Sequence, residues 1–118
     1  MKNAMVLIFA LLVLCQCEKQ PQYDDEVPKC IVDKIEEFKQ GVTSCDGNQV
    51  GPNVISYNFQ GEVVYVFSQG QCVADGGAQV VDEECEELCN LGTILGLVEC
   101  RGENFADNAV QIEVLWQD

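Results

Sequence analysis

From Pro28 to Gly41 the apolar residues Ile31, Ile35 and Phe38 recur at i, i+4 and i+7, a spacing that puts all three on one face of an α-helix. Pro28 suits the first turn of such a helix and Gly41 supplies a C-terminal stop. Asp24, Asp25 and Glu26 precede the start and Lys39 lies near the end, as the helix macrodipole prefers. The period then changes. In "VISYNFQGEVVYVF" two runs of β-branched and aromatic residues flank Gln60-Gly61, which predicts a tight hairpin because glycine accepts positive φ. That register sets Phe59 opposite Glu62, Tyr57 opposite Val64 and Ile55 opposite Val66. Both faces carry apolar groups, so one is expected on the helix and the other under loops or a partner.

Residues 78–91, within "AQVVDEECEELCNLG", read either as a helix or as a second hairpin turning through Glu83 to Glu86, and the hairpin is preferred. "VQIEVLW" sets Val110, Ile112, Val114 and Trp116 on one side and Gln111 and Glu113 on the other, the pattern of a half-buried strand. The expected fold class is α+β: one N-terminal helix packed on a small antiparallel sheet of about four to five strands. No internal repeat or second domain breaks residues 28–118, which are read as a single domain. Residues 17–27, polar with two prolines, read as a flexible tether in front of it.

The chain opens differently. An apolar run of eleven residues, Ala4 to Leu14, follows the single Lys2. It is too short for a membrane span, which needs about 20 residues, and has the form of a secretory signal peptide. No small-residue cleavage pattern precedes either early cysteine. The region resembles a bacterial lipoprotein signal, in which the apolar stretch ends at a cysteine that is lipidated and becomes the mature N-terminus. Residues 1–16 are read as that signal and Cys17 as the lipidated residue, because "EKQ" follows it at once; Cys15 is the competing site. Gln16 departs from the small residue usual before the lipidated cysteine. The expected location is the bacterial cell envelope, as a periplasmic or outer-surface lipoprotein, with a soluble secreted protein as the alternative.

Cysteine count bears on the same choice. Eight cysteines occur, at 15, 17, 30, 45, 72, 85, 89 and 100. Removing Cys15 with the signal and committing Cys17 to lipid leaves Cys30, Cys45, Cys72, Cys85, Cys89 and Cys100, an even set suited to three disulfides in a small exported domain. Spacing does not choose among the pairings. A zinc site is disfavoured by the absence of histidine and of any Cys-x-x-Cys, and the same lack argues against a thioredoxin-like dithiol.

Net charge narrows the partners. The chain has 6 basic and 20 acidic residues; loss of residues 1–16 removes only Lys2, leaving 5 basic against 20 acidic and a net charge of −15. Phosphate backbones are bound by clustered Lys and Arg, so no nucleic acid is expected. Membrane association is expected only through a lipid anchor, since the protein surface would be repelled by anionic lipid. The domain is expected to be a monomer.

The succession "CIVDKIEEFK", "VISYNFQGEVVYVF", "VVDEECEELCNLG" and "VLW" resembles an uncharacterised domain family of small exported proteins, many of them lipoproteins, from Bacteroidota. The likeness spans about residues 29 to 117, and its most specific pieces are Cys30-Ile31, the strand bearing Tyr65, and Leu88-Cys89 followed by glycine. Members often carry a second glycine where this chain has "NLGTILG", which implies a different loop shape around Thr93. The resemblance implies compartment, fold and disulfide use, and no catalytic residue.

Candidate chemistry is sparse. "DEECEE" gathers Asp82, Glu83, Glu84, Glu86 and Glu87; a Ca²⁺ site would need several oxygen ligands on a suitably shaped loop, and a solvated acidic turn is the preferred reading. "DGNQVG" starts like an EF-hand at Asp46, Asn48 and Gly51, then fails at Val50 and Tyr57, where ligands should stand. No cofactor or metal is expected. Without histidine there is no Ser-His-Asp or Cys-His machinery, and no phosphate-binding or nucleophile-elbow motif occurs, so the chain is read as not an enzyme. Two readings remain. One is a binding module for a protein or glycan, which exposed Tyr57 or Tyr65 would support. The other is an inhibitor of a secreted hydrolase, presenting "CDGNQVGPN" or "CNLGTILGLVEC" as a stapled loop.

Overall fold

The computed structural model describes residues 23–74 and 76–118. The signal-peptide reading, the lipidation reading at Cys17 and most of the tether lie outside the described residues. One helix, α1 (Lys29–Gly41), precedes strands β1 (Asn53–Phe59), β2 (Glu62–Ser68), β3 (Gly77–Val81) and β4 (Glu87–Gly92). Two short strands, β5 (Glu99–Cys100) and β6 (Glu103–Asn104), a single helical turn α2 (Phe105–Asn108) and the closing strand β7 (Val110–Gln117) complete the chain. Five strands form one antiparallel sheet in the order β4-β3-β2-β1-β7, and β5 pairs with β6 in a separate ribbon. The architecture is α+β, a helix on a five-stranded antiparallel sheet.

The 3.6-residue period of α1 becomes its buried stripe: Ile31 and Ile35 are fully buried and Phe38 packs against the same cluster. Pro28 stands at the cap position with φ −58° and ψ 147°, which its ring favours. Gly41 is the last helical residue and the chain turns extended at Val42, one position later than a glycine stop implies. The β1–β2 hairpin has the expected register, with Phe59 opposite Glu62, Tyr57 opposite Val64 and Ile55 opposite Val66. Gln60 and Gly61 both take positive φ, 53° and 81°, the conformation that matches a two-residue turn to the strands' twist. Residues 77–92 form the second hairpin, β3–β4. Its turn is organised by Asp82, whose Oδ1 accepts from the backbone N–H of Glu84 (2.9 Å) and Glu86 (3.0 Å).

Alternation along β2 divides the core in two. Tyr65 and Phe67 join Val54 and Val81 under α1, while Val64 and Val66 join Phe59, Val80, Cys100 and Phe105 on the opposite face. That second face is therefore covered by the segment from β5 to α2. On the helix face, Phe38 stands edge-on to Phe67 (centroids 5.4 Å apart) and to Trp116 (6.1 Å), an arrangement suited to aromatic quadrupoles.

Strand β7 departs from the sequence reading. Val110, Ile112 and Val114 are 67, 53 and 43 % exposed, so the alternating side is not buried. The cause lies in its pairing with β1, where register shifts fall between Val54 and Ile55 and between Ser56 and Tyr57. Such bulges re-aim side chains, and here Leu115 and Trp116, sequence neighbours, both pack against the helix-side cluster. β7 is also an edge strand, with only one side paired.

Three disulfides brace the fold: Cys30–Cys85, Cys45–Cys72 and Cys89–Cys100, with Cα separations of 6.2, 5.5 and 5.4 Å. The first ties the start of α1 to the acidic turn, and the second ties the α1–β1 connection to the β2–β3 connection. Such bridges occur in an oxidising, extracytoplasmic compartment. Among the described residues no helix is long and apolar enough to cross a membrane.

Candidate functional site

The third bridge shapes the most conspicuous surface. Past β4 the chain doubles back, Gly92 and Leu97 exchanging backbone hydrogen bonds of 2.7 and 2.9 Å. In that register Cys89 falls opposite Cys100, so the disulfide closes the base of the loop. The intervening turn, Thr93 to Gly96, is held by Gly96 N–H donating to the Thr93 carbonyl (3.1 Å) and Leu95 N–H donating to Thr93 Oγ1 (3.2 Å). Thr93 has φ 63°, costly for a β-branched residue. Ile94 and Leu95, at the tip, are 84 and 76 % exposed, and Val98 is also exposed.

Beside this tip lies a groove of about 510 Å³, between the C-terminal half of α1 and the β3–β4 hairpin. Phe67, Gln79 and Asn90 line it from the sheet, Lys34 and Phe38 from the helix, and Thr93 connects it to the stapled loop. Lys34 Nζ lies 5.3 Å from the Phe67 ring centroid, within cation–π range. The groove volume is within the range of about 300–1,000 Å³ common to binding clefts. Its walls supply amides, two aromatic rings and one cation. This is hydrogen-bonding and stacking capacity, with Glu37 as the carboxylate among the lining side chains.

The other sequence candidates are scattered. Tyr65 is only 3 % exposed and Tyr57 is half-buried against Phe105, 5.2 Å between centroids; neither is displayed as a contact aromatic. Burial pushes both phenols above the ordinary tyrosine pKa, Tyr65 with help from the negative charge of Glu83 and Glu26. Asp82, Glu84 and Glu86 bring one carboxylate oxygen each within 4.8 Å of one another, but Asp82 already serves the backbone of its own turn. The "DGNQVG" segment is a turn beside Cys45, which the Cys45–Cys72 bridge fixes to the β2–β3 connection. The loop "CNLGTILGLVEC" is thus closed on itself by its own cysteines, whereas "CDGNQVGPN" is not. Sequence reasoning missed the groove, because its walls come from four separate segments spread between Lys34 and Thr93.

A second polar cluster anchors the segment before the helix. Tyr23 Oη donates to Glu36 Oε1 at 2.9 Å, and Lys39 Nζ donates to the same oxygen at 3.1 Å. Lys39 also lies 5.7 Å from the Tyr23 ring and 5.8 Å from Trp116. The hydrogen bond from Tyr23, then that from Lys39, holds the Glu36 carboxyl below its ordinary value.

A family model described as "Domain of unknown function (DUF6970)" matches residues 40–118. This span takes in the whole sheet and five of the six bridged cysteines, and leaves all of α1 but its last two residues outside. No curated protein and no solved structure matches the chain.

Proposed function

We infer that the chain, which belongs to this domain family of unknown function, is an exported binding module whose contact element is the stapled tip at Ile94 and Leu95. The observation that carries this reading is the conjunction of apolar exposure and rigidity: two large aliphatic side chains stand in solvent on a loop closed by Cys89–Cys100. Exposing them costs solubility, and bracing them removes most of the ordering cost of binding. The occupant favoured by this chemistry is a protein with an apolar pocket, with the adjoining groove receiving polar groups through Asn90, Gln79 and Lys34.

A more specific version of this reading is inhibition of a secreted hydrolase, with the tip entering the active-site cleft. It is favoured by the way the cysteines of "CNLGTILGLVEC" close that loop and no other. Capture of envelope and culture proteins on the mature chain, in parallel with Leu95→Asp, tests both. A partner retained by the wild type and lost with Leu95→Asp supports the binding module, and a hydrolase whose turnover falls on complex formation supports inhibition. Partners captured equally by both proteins would remove the tip from the account.

The proposed setting is the bacterial envelope, with Cys17 as the lipid-bearing N-terminus and Cys15 discarded with residues 1–16. The support is the eleven-residue apolar run, the charged tether and the even number of cysteines beyond residue 17. In a lipoprotein-processing host the wild type is expected in the membrane fraction, Cys17→Ala outside it and Cys15→Ala as wild type. Release by Cys15→Ala alone would move the site to Cys15; no effect of either change would make this a soluble secreted protein.

A further inference from the structure

A smaller cavity of about 190 Å³, lined by none of the groove residues, sits between the segment before the helix, the acidic turn, the β1–β2 hairpin and β7. Four carboxylates line it, Asp24, Glu26, Glu83 and Glu113, and no basic side chain does. The position of Glu83 follows from the Cys30–Cys85 bridge, which ties the turn carrying it to the start of α1. Aliphatic walls come from Val27, Val63 and Ile112.

The feature that separates this cavity from an ordinary acidic patch is Tyr65. Its side chain belongs to the helix-side core and is 97 % buried, yet its hydroxyl has no hydrogen-bond partner among the described residues. No fully buried side-chain oxygen or nitrogen among those residues lacks a partner, so the hydroxyl keeps its small exposure toward the cavity it lines. The hydroxyl thus stands at the cavity wall as an oxygen that can accept a hydrogen bond from a donor entering the cavity. Burial and the charges of Glu83 and Glu26 keep it protonated.

We propose that this cavity receives a single alkylammonium group, the end of a lysine side chain of a partner protein or of a free diamine. The cavity is smaller than the roughly 300 Å³ at which binding clefts begin, so it has room for one side chain rather than a segment of chain. An ammonium presents three donors and no acceptor, which the carboxylates and the Tyr65 oxygen can accept together. Its methylene stem would lie along Val27, Val63 and Ile112, as lysine stems do on apolar surface. A divalent metal fits poorly: hard cations gather six or more oxygens in a tight shell, and the group with three ligand atoms within 4.8 Å found among the described residues is Asp82, Glu84 and Glu86, none of which lines this cavity. The site is separate from the stapled tip, so the two stand or fall independently.

The test follows the Tyr65 Cζ resonance of tyrosine-labelled mature protein during titration at constant ionic strength. The probes are Nα-acetyl-lysine methylamide, cadaverine, Nα-acetyl-norleucine methylamide, Na⁺ and Ca²⁺. A saturable shift is expected with the first two, and none with the norleucine compound, which has the stem without the charge, or with Na⁺. Glu83→Gln and Glu26→Gln, both at exposed positions, should each weaken binding about fivefold or more, since rim charges set attraction to a cation. Tyr65→Phe should weaken it as well, read from the heat of binding. Tighter binding of cadaverine than of lysine-containing peptides assigns the ligand to free diamines, and the reverse assigns it to a protein. A shift produced equally by Na⁺, a saturable response to Ca²⁺ alone, or alkylammonium binding unchanged in the Glu83 and Glu26 variants would overturn the proposal.

Discussion

The hydroxyl of Tyr23 donates to the carboxylate of Glu36 across thirteen residues, at 2.9 Å. This contact docks the segment ahead of α1 onto the helix, where Lys39 completes the group and Tyr23 packs against the helix-side core. It also makes the docking sensitive to acid. Glu36 is held below its ordinary pKa by Tyr23 first and Lys39 second. A depressed carboxyl contributes stability that is complete above its unfolded value, about 4.3, and is lost as pH falls through the folded value. The Glu36 carboxyl resonance should therefore titrate below the usual glutamate range in the wild type and move upward in Tyr23→Phe. Equal midpoints in the two proteins would contradict the assignment. The group is partly exposed, so a small effect on unfolding is expected.

Gly70 offers a sharper stability test. It has φ +89°, and a Cβ there would stand 2.7 Å from the Gly51 carbonyl carbon and 2.9 Å from Pro52 N. These neighbours are backbone of the α1–β1 connection, which Cys45–Cys72 ties to the connection that holds Gly70, and cannot swing aside. Gly70→Ala should cost about 2 kcal/mol or more, since a strained left-handed residue costs about 1–3 kcal/mol and overpacking adds a comparable amount. Gly61 has φ +81° but open space around it, so Gly61→Ala should pay only the backbone part, about 1–2 kcal/mol. Denaturant unfolding of both measures the difference, and an equal loss would show that the close approach at Gly70 does not matter.

The tip side chains are expected to matter little to folding. Ile94 and Leu95 make no part of either core cluster, so Leu95→Asp should change unfolding free energy by less than about 0.5 kcal/mol. Ile35→Ala, emptying a fully buried site, should cost about 2–5 kcal/mol. A melt of Leu95→Asp lowered as far as that of Ile35→Ala would mean that the tip packs on the domain.

Bridge removal should rank by loop length. Cys30–Cys85 spans 55 positions and Cys89–Cys100 spans 11, although the nested Cys45–Cys72 bridge shortens the larger loop. Paired Cys→Ala replacement of Cys30 and Cys85 should therefore cost about 1 kcal/mol more than replacement of Cys89 and Cys100. Denaturation of the intact mature protein with alkylating reagent should label none of the six cysteines. Two labels among them would break the pairing described above.

How far the sequence discloses this fold depends on the range of the interactions that decide it. α1 and the β1–β2 hairpin were legible because Ile31, Ile35 and Phe38 form a local stripe and Gln60-Gly61 fixes a local turn. The β3–β4 hairpin, ambiguous in a segment so rich in glutamate, is decided by pairing with β2 through Tyr65 and Val81. β7 misled because alternation presumes a regular ladder, and its two register shifts with β1 are long-range features. α2 is four residues long, too short for a periodic signal, although Asn104 Oδ1 caps it by accepting from Asp107 N–H at 3.0 Å. The stapled tip was half legible: the cysteines flank it in the sequence, but their pairing with each other required the Gly92–Leu97 register.

The nesting of the bridges also bears on how the protein is made. Taken in chain order, Cys30 is followed by Cys45, yet Cys30 belongs with Cys85 and Cys45 with Cys72. A chain oxidised as successive segments arrive will join Cys30 to Cys45 first, and that link must be undone by thiolate attack before either native bridge can form. Uncatalysed reshuffling takes up to hours, and its rate depends on access to a free thiolate. Oxidant alone should trap this protein in a misbridged form, and its yield should follow the supply of disulfide isomerase more closely than the supply of oxidant.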